Sequence, residues 1–142
     1  MSRHILLDTH IALWLDSRDE RLRPSTRHTI DTCWQNGGTV LVSAITAWEI
    51  AQLVSVGRIH LDVAPDVWFE RLIDRPGIEA VPLTHRAAAR AYRLHDFSHR
   101  DPADLLLVAT AIERACPLIT YDRRIAGFAG SHGDRYGLQI ET

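Results

Sequence analysis

A three-layer α/β/α sandwich around a central, mostly parallel sheet of four or five strands is the fold class that this 142-residue sequence predicts, as one domain over residues 1–142. Three observations carry that expectation. Short apolar runs alternate with segments of helical period; the runs are apolar at successive positions rather than at every second one; and two of them end on an aspartate. Continuous hydrophobicity marks strands covered on both faces, and strands alternating with helices imply parallel crossovers.

The elements follow in order. RHILLD (3–8) is a short buried strand ending on an acid, and THIALWLD (9–16) turns helical, with Ile11, Trp14 and Leu15 on one side. Pro24 leads into a helix over 25–35 that Gly37 and Gly38 stop. TVLVS (39–43) is β-branched and apolar, a second strand. The next helix, AITAWEIAQLVSVG (44–57), places Ile45, Trp48, Leu53 and Val56 as its apolar positions and closes at Gly57. A helix over 62–73 has Pro65 near its start, and IEAVPL (78–83) is a third strand. Thr84 caps THRAAARAYRL (84–94), a run of strong helix formers. A very apolar helix covers 102–115, PLITYD (117–122) is a fourth strand again ending on an acid, and 138–140 is a short fifth. The stretch after Asp122, with Gly127, Gly130 and Gly133, is the least distinctive and is assigned no element.

Composition narrows the class. Hydrophobic residues at 46% and charged residues at 24% are ordinary for a soluble globular chain. A net charge of −2 argues against binding nucleic acid by bulk positive charge, although a local basic surface remains open. All 16 basic residues are arginine, whose planar fork suits phosphate; an Arg- and Ala-rich composition explains the bias equally simply. Cys33 and Cys116 stand in no metal or redox spacing, which sets a reduced, cytoplasmic expectation. No apolar run reaches the roughly 18 residues of a membrane span, and Asp8 interrupts the first one too early for a signal peptide.

In open α/β sheets, ligands bind at the carboxyl ends of the strands. Asp8 and Asp122 both project from that edge. Glu49 lies six residues past the second strand, about one and a half helical turns away, and stays near the same edge. The segment HRDPADLLLVATA (99–111) opens its apolar helix with two acids bracketing a proline. Asp101 suits the N-cap, Pro102 the first helical position and Asp104 the third. Each acid has a local reading as a cap or turn residue. Together they are harder to explain that way. Two like charges 4 Å apart repel by about 4 kcal/mol at an effective dielectric near 20, against a domain stability of roughly 5–15 kcal/mol. A shared site needs protonation or a hard divalent cation, and an all-oxygen donor set selects Mg²⁺ or Mn²⁺. In that division of labour, Asp101 caps and Asp104 ligates.

At these residues the sequence resembles the PIN domain, specifically the VapC-type toxins of type II (VapBC) toxin–antitoxin modules. The likeness runs through ILLDTHIALW, VSAITAWEIAQLVSVGRI, DPADLLLVATA and LITYD in this order, nearly end to end. It implies a PIN-like fold and a Mg²⁺-dependent endoribonuclease, with Mn²⁺ as the alternative cation. It puts the acidic quartet, catalytic and metal-binding, on Asp8, Glu49, Asp104 and Asp122, with Asp101 and Thr120 in support. It also implies a homodimer, an RNA substrate and a cognate VapB-type antitoxin. Attack by activated water needs no side-chain nucleophile, in keeping with the lack of a Ser–His–Asp arrangement, and leaves a 5′-phosphate and a 3′-hydroxyl.

Other features were weighed against simpler roles. Arg123 and Arg124, directly after Asp122, are placed to meet RNA, whereas Arg86, Arg90 and Arg93 share one helix face that reads first as solvated. His95 and His99 have the spacing of helical zinc ligands but precede a proline, and position 96 is Asp where the zinc protease motif has Glu. Trp14, Trp48 and Trp68 read as core or dimer contacts, with base stacking the lesser reading. A phosphatase of the haloacid dehalogenase type would need an acid at position 10 and a lysine, and the chain has His10 and no lysine. A metal-dependent DNA nuclease and a catalytically inert PIN-fold binding protein stand as alternatives.

Overall fold

The computed structural model describes residues 3–98 and 101–142. Among the described residues, seven helices and five strands form one α/β/α sandwich. Strand β1 (Ile5–Leu7) leads directly into α1 (Thr9–Ser17), followed by α2 (Pro24–Gln35), β2 (Val40–Ser43) and α3 (Ala44–Ser55). Then come α4 (Pro65–Ile73), β3 (Ile78–Val81), α5 (His85–Ala91) and α6 (Pro102–Arg114). Strand β4 (Leu118–Ile119), α7 (Arg123–Tyr136) and β5 (Ile140–Glu141) complete the chain.

All five strands are parallel, in the order β3-β2-β1-β4-β5. The chain grows from β1 toward β3 on one side and then crosses back to lay β4 and β5 on the other. The crevice between the ends of β1 and β4 is therefore the topological switch point, where open α/β sheets bind ligands.

Register separates the two cores. Leu41, Leu6, Leu118 and Ile140 stand side by side across the sheet and face a core completed by α5, α6 and α7. The neighbouring rungs, Ile5 with Val40 and Ile78 and Leu7 with Val42 and Ile119, face the other way, into a core completed by α1 to α4. A period of two along each strand gives each face its own set of side chains. Strands buried on both faces read as unbroken apolar runs for that reason.

Four elements differ from the sequence expectation. The glycine-bearing stretch after Asp122 is a 14-residue helix, α7. Asp122 caps it, Ile125 and Phe128 bury one stripe, and Gly137 ends it at φ 76°. Its glycines lower propensity, but the buried stripe decides the outcome. On α3 the core-facing residues are Ile45, Thr46 and Ile50, whereas Trp48 and Val56 are 55% and 62% exposed. The helix is apolar on two sides, so hydrophobicity did not identify the inner one. Of the three tryptophans, Trp68 is buried and Trp14 half-buried. Helix α5 stops at Ala91, short of 94, and α4 starts at Pro65.

Gly38 tests the packing. A Cβ there would sit 1.9 Å from the Arg3 carbonyl oxygen and 2.8 Å from Cys33 Sγ, whereas one on Gly130 of α7 meets nothing within 4 Å. Gly38→Ala is expected to destabilise the protein by about 1–3 kcal/mol through overpacking. Gly130→Ala should stabilise it by about 0.5–1 kcal/mol through reduced backbone entropy. Urea denaturation of the two variants checks the opposite signs.

Candidate active site

Strand pairing builds the centre of the site. The β1–β4 register sets Leu7 beside Ile119, and the Asp8 amide continues the ladder by donating to the Ile119 carbonyl at 2.9 Å. Asp8 and Thr120 are thus neighbours across the switch point. The Thr120 hydroxyl donates to Asp8 Oδ2 at 2.6 Å, and the Thr9 amide donates to Oδ1 at 2.7 Å as Asp8 caps α1. Asp8 is only 7% exposed. Burial raises its carboxyl pKa above the usual range, against the lowering effect of these two donors, and the Asp122 charge adds to the rise.

Glu49 reaches the same place from α3. Its Oε1 accepts from the Thr9 hydroxyl at 2.5 Å, and Thr9 Oγ1 lies 3.2 Å from the Thr46 hydroxyl. The one Thr9 proton is committed to Glu49, so Thr46 donates to Thr9. Desolvation lifts the Glu49 carboxyl to a pKa of about 7; the Thr9 bond opposes the shift, and the charges of Asp8, Asp104 and Asp101 reinforce it. That electrostatic coupling joins the acid from α3 to those from β1 and α6.

Asp101 and Asp104 come from the start of α6. Asp101 Oδ1 accepts from the amides of Ala103 at 2.9 Å and Asp104 at 3.2 Å, so it is the N-cap the sequence implied. Asp104 lies half-buried in the first turn. Asp122 caps α7 in the same manner: Oδ1 accepts from Arg124 at 2.8 Å and Ile125 at 3.2 Å, while its own amide donates to Thr120 Oγ1 at 3.0 Å.

The acids from four segments therefore meet electrostatically at one sheet edge. Among the described residues, no three or more acid, histidine or cysteine side chains stand in an arrangement that could hold a metal ion as they are placed. The donor chemistry nonetheless fits a hard cation. The carboxylates near Asp8 supply only oxygen donors, and the raised proton affinity of Asp8 and Glu49 is what a divalent ion would replace.

Thr9 and Thr46 went unnoticed in the sequence. The available signal was a threonine directly after a strand-ending acid and another one turn before Glu49, but neither reveals burial. Arg123 and Arg124 are exposed on the first turn of α7 and, with Asp96, Ser98 and His132, line a cavity of about 300 Å³. His95 is exposed, and His99, the other half of the zinc-ligand spacing, lies outside the described residues. On α5, Arg90 pairs with Glu113 of α6 at 2.5 Å and Arg86 is exposed, whereas Arg93 lies past the helix end at Ala91, so the three arginines do not share one helix face.

The sequence profile of the PIN domain matches residues 5–130. Ribonuclease VapC22 of Mycobacterium tuberculosis is 34% identical over 121 residues, 85% of this chain and 88% of that protein. The fold is similar to that of VapBC2 from Rickettsia felis, solved bound to a DNA fragment from its promoter, with a TM-score of 0.66 at 17% identity over 97% of each chain. A toxin–antitoxin complex from Klebsiella pneumoniae gives a TM-score of 0.60 at 19% identity, covering 97% of this chain and 96% of that one.

The raised Glu49 pKa has a signed consequence. Between pH 4.5 and about 7 the folded protein holds a proton that the unfolded chain has released, so metal-free stability falls as pH rises through that window. Solvent reaches the half-buried carboxyl, which limits the loss to about 1–2 kcal/mol. Denaturation at pH 5 and pH 8 should show this loss in the wild type and a smaller one in Glu49→Gln, where the raised Asp8 carboxyl still contributes in the same direction.

Proposed function

This chain belongs to the PIN-domain family, and on that premise we propose that it is the toxin of a type II toxin–antitoxin pair, an endoribonuclease that depends on a divalent cation. One observation carries the reading: the chain is 34% identical to a named ribonuclease over most of its length, and the hydrogen bond between Asp8 and Thr120 across the β1–β4 pairing supports it. We take Asp8, Glu49, Asp104 and Asp122 as the residues that hold the ion and Mg²⁺ as the physiological ion, with Mn²⁺ able to replace it. The cognate inhibitor is a VapB-type antitoxin, in keeping with the VapBC complex of the same fold. No helix among the described residues is long and apolar enough to cross a membrane, which agrees with a cytoplasmic site of action. The exposed Trp48 and Val56 on α3 suit a homodimer contact.

When bound, the cation would lower the pKa of water and stabilise charge developing on the scissile phosphate. The chain's own residues supply orientation. Thr120 fixes Asp8 across the β1–β4 pairing, and Thr9 fixes Glu49 against α1. Asp101 holds the first turn of α6, which carries Asp104, by capping it. Arg123 and Arg124 stand beside Asp122 to meet the phosphate backbone of RNA. Hydrolysis by water breaks the bond from phosphorus to the 3′ oxygen and leaves a 5′-phosphate and a 3′-hydroxyl.

Asp8→Asn keeps the shape and both hydrogen-bonding atoms' positions while removing the charge. It should abolish Mg²⁺-dependent RNA cleavage with the fold intact by circular dichroism, and full retained activity would refute the assignment. Thr120→Val removes only the orienting hydroxyl. Loss of such a supporting partner typically costs about 10–100-fold in metal affinity, to be read by titrating Mn²⁺ calorimetrically into the antitoxin-free protein. Expression without the antitoxin should arrest growth, and sequencing the 5′ ends of RNA fragments identifies the target.

A further inference from the structure

Five planar side chains adjoin the acid edge in a continuous ladder. His10 and Trp14, four residues apart on α1, have ring centroids 5.7 Å apart, and Trp14 and Tyr121 have centroids 5.8 Å apart. The Arg21 guanidinium lies over Trp14 at 5.1 Å, and that of Arg23 lies over Tyr121 at 4.1 Å. Both ends of the aromatic ladder are tied to acids of the site: His10 is two residues from Asp8, and Tyr121 directly precedes Asp122.

We propose that this ladder is a stacking platform for the bases of single-stranded RNA flanking the scissile phosphate, an inference that rests on the ribonuclease reading above. The parts are built to hold planes in position. Tyr121 OH is 2.5 Å from the Thr26 hydroxyl and accepts from the Arg23 amide at 3.0 Å, which pins the connection between α1 and α2. Asp19 grips the Arg21 guanidinium through both nitrogen edges, Nε at 3.0 Å and Nη2 at 2.7 Å. This fork occupies the edge of the guanidinium and fixes the orientation of its face.

Burial alone does not explain the arrangement. His10, Arg21 and Arg23 are exposed and Trp14 is half-buried, so the ladder opens to solvent next to the catalytic edge. An acidic site in a chain of net charge −2 also needs attraction that phosphate does not meet at the carboxylates. Guanidinium planes and aromatic faces supply it, since every base has a π-face and arginine adds positive charge. A base pair inside a duplex offers no free face, so the platform selects unpaired or looped RNA.

The test uses wild type, His10→Ala and His10→Phe, each in excess over single-stranded RNA labelled with 2-aminopurine at successive positions, with Mg²⁺ and single-turnover detection of both fluorescence and cleavage. His10 is exposed, so neither substitution disturbs the core. Stacking should quench the label at one or two positions beside the cut, before cleavage. Loss of one stacking partner corresponds to roughly a fivefold to hundredfold rise in the half-saturating protein concentration. His10→Ala should show that rise and lose the quench, with the saturated rate falling far less, and His10→Phe should restore both. Cleavage without quenching, or quenching unchanged in His10→Ala, overturns the platform and leaves the ribonuclease reading intact. Quenching without cleavage supports the platform and sinks the ribonuclease reading. Neither signal overturns both. If His10→Ala keeps the quench but releases the antitoxin, the surface belongs to a protein partner and the proposal falls.

Discussion

The rest of the site depends on one buried carboxylate held across a strand pairing. Asp8 stands at the switch point because β1 pairs with β2 on one side and with β4 on the other. The same register that stacks Leu6 beside Leu118 sets Asp8 beside Thr120. Sliding β4 by one residue would turn its core side chains to the other face and take Thr120 away from Asp8. Core packing and site geometry are thus fixed by one alignment, and the acid cannot relax away from its neighbours without disturbing the sheet.

Helix starts absorb part of the cost of gathering like charges. Asp8, Asp101 and Asp122 each cap a helix, so α1, α6 and α7 direct their amide-bearing ends toward these carboxylates. A favourable helix terminus contributes about 0.3–1 kcal/mol per charge, whereas two carboxylates at 4 Å repel by about 4 kcal/mol at an effective dielectric near 20. Capping therefore eases the assembly without neutralising it. Burial first, and the neighbouring charges after it, raise the proton affinity of Glu49, which is the one acid of the group reached from inside a helix rather than from its start, and which leans on a threonine hydroxyl instead of backbone amides.

Much of this was legible in the sequence, for identifiable reasons. Strands buried on both faces leave unbroken apolar runs, so β1, β2 and β4 stand out, as do the acids that close β1 and β4. Capping leaves a signature too: Asp101-Pro102 marked the start of α6 correctly. What stayed hidden depends on tertiary contact. Helix α7 was obscured by Gly127 and Gly130, because its stability comes from Ile125 and Phe128 packing into a core, where Phe97 meets Phe128 edge-on at 4.9 Å. The inner side of α3 was misread because Trp48 and Val56 are as apolar as Ile45 and Ile50. Thr9 and Thr46 gave no warning, since threonine is common at both surfaces and sites and only burial distinguishes the two.

The exclusive use of arginine takes on physical meaning around this site. A lysine is a compact, hydrated charge, and near four carboxylates it would serve as a rival counterion. A guanidinium can be held at its edge while its face stays available, as Asp19 holds Arg21 over Trp14 and Tyr121 underlies Arg23. Arg123 and Arg124 add positive charge on the far side of Asp122 while their own helix is capped by it. Positive charge thus flanks the acidic edge without occupying it. On the proposed nuclease reading, a polyanion would be drawn to both sides of the acids and leave the acids themselves to a divalent ion, the combination that metal-assisted cleavage of a phosphodiester requires.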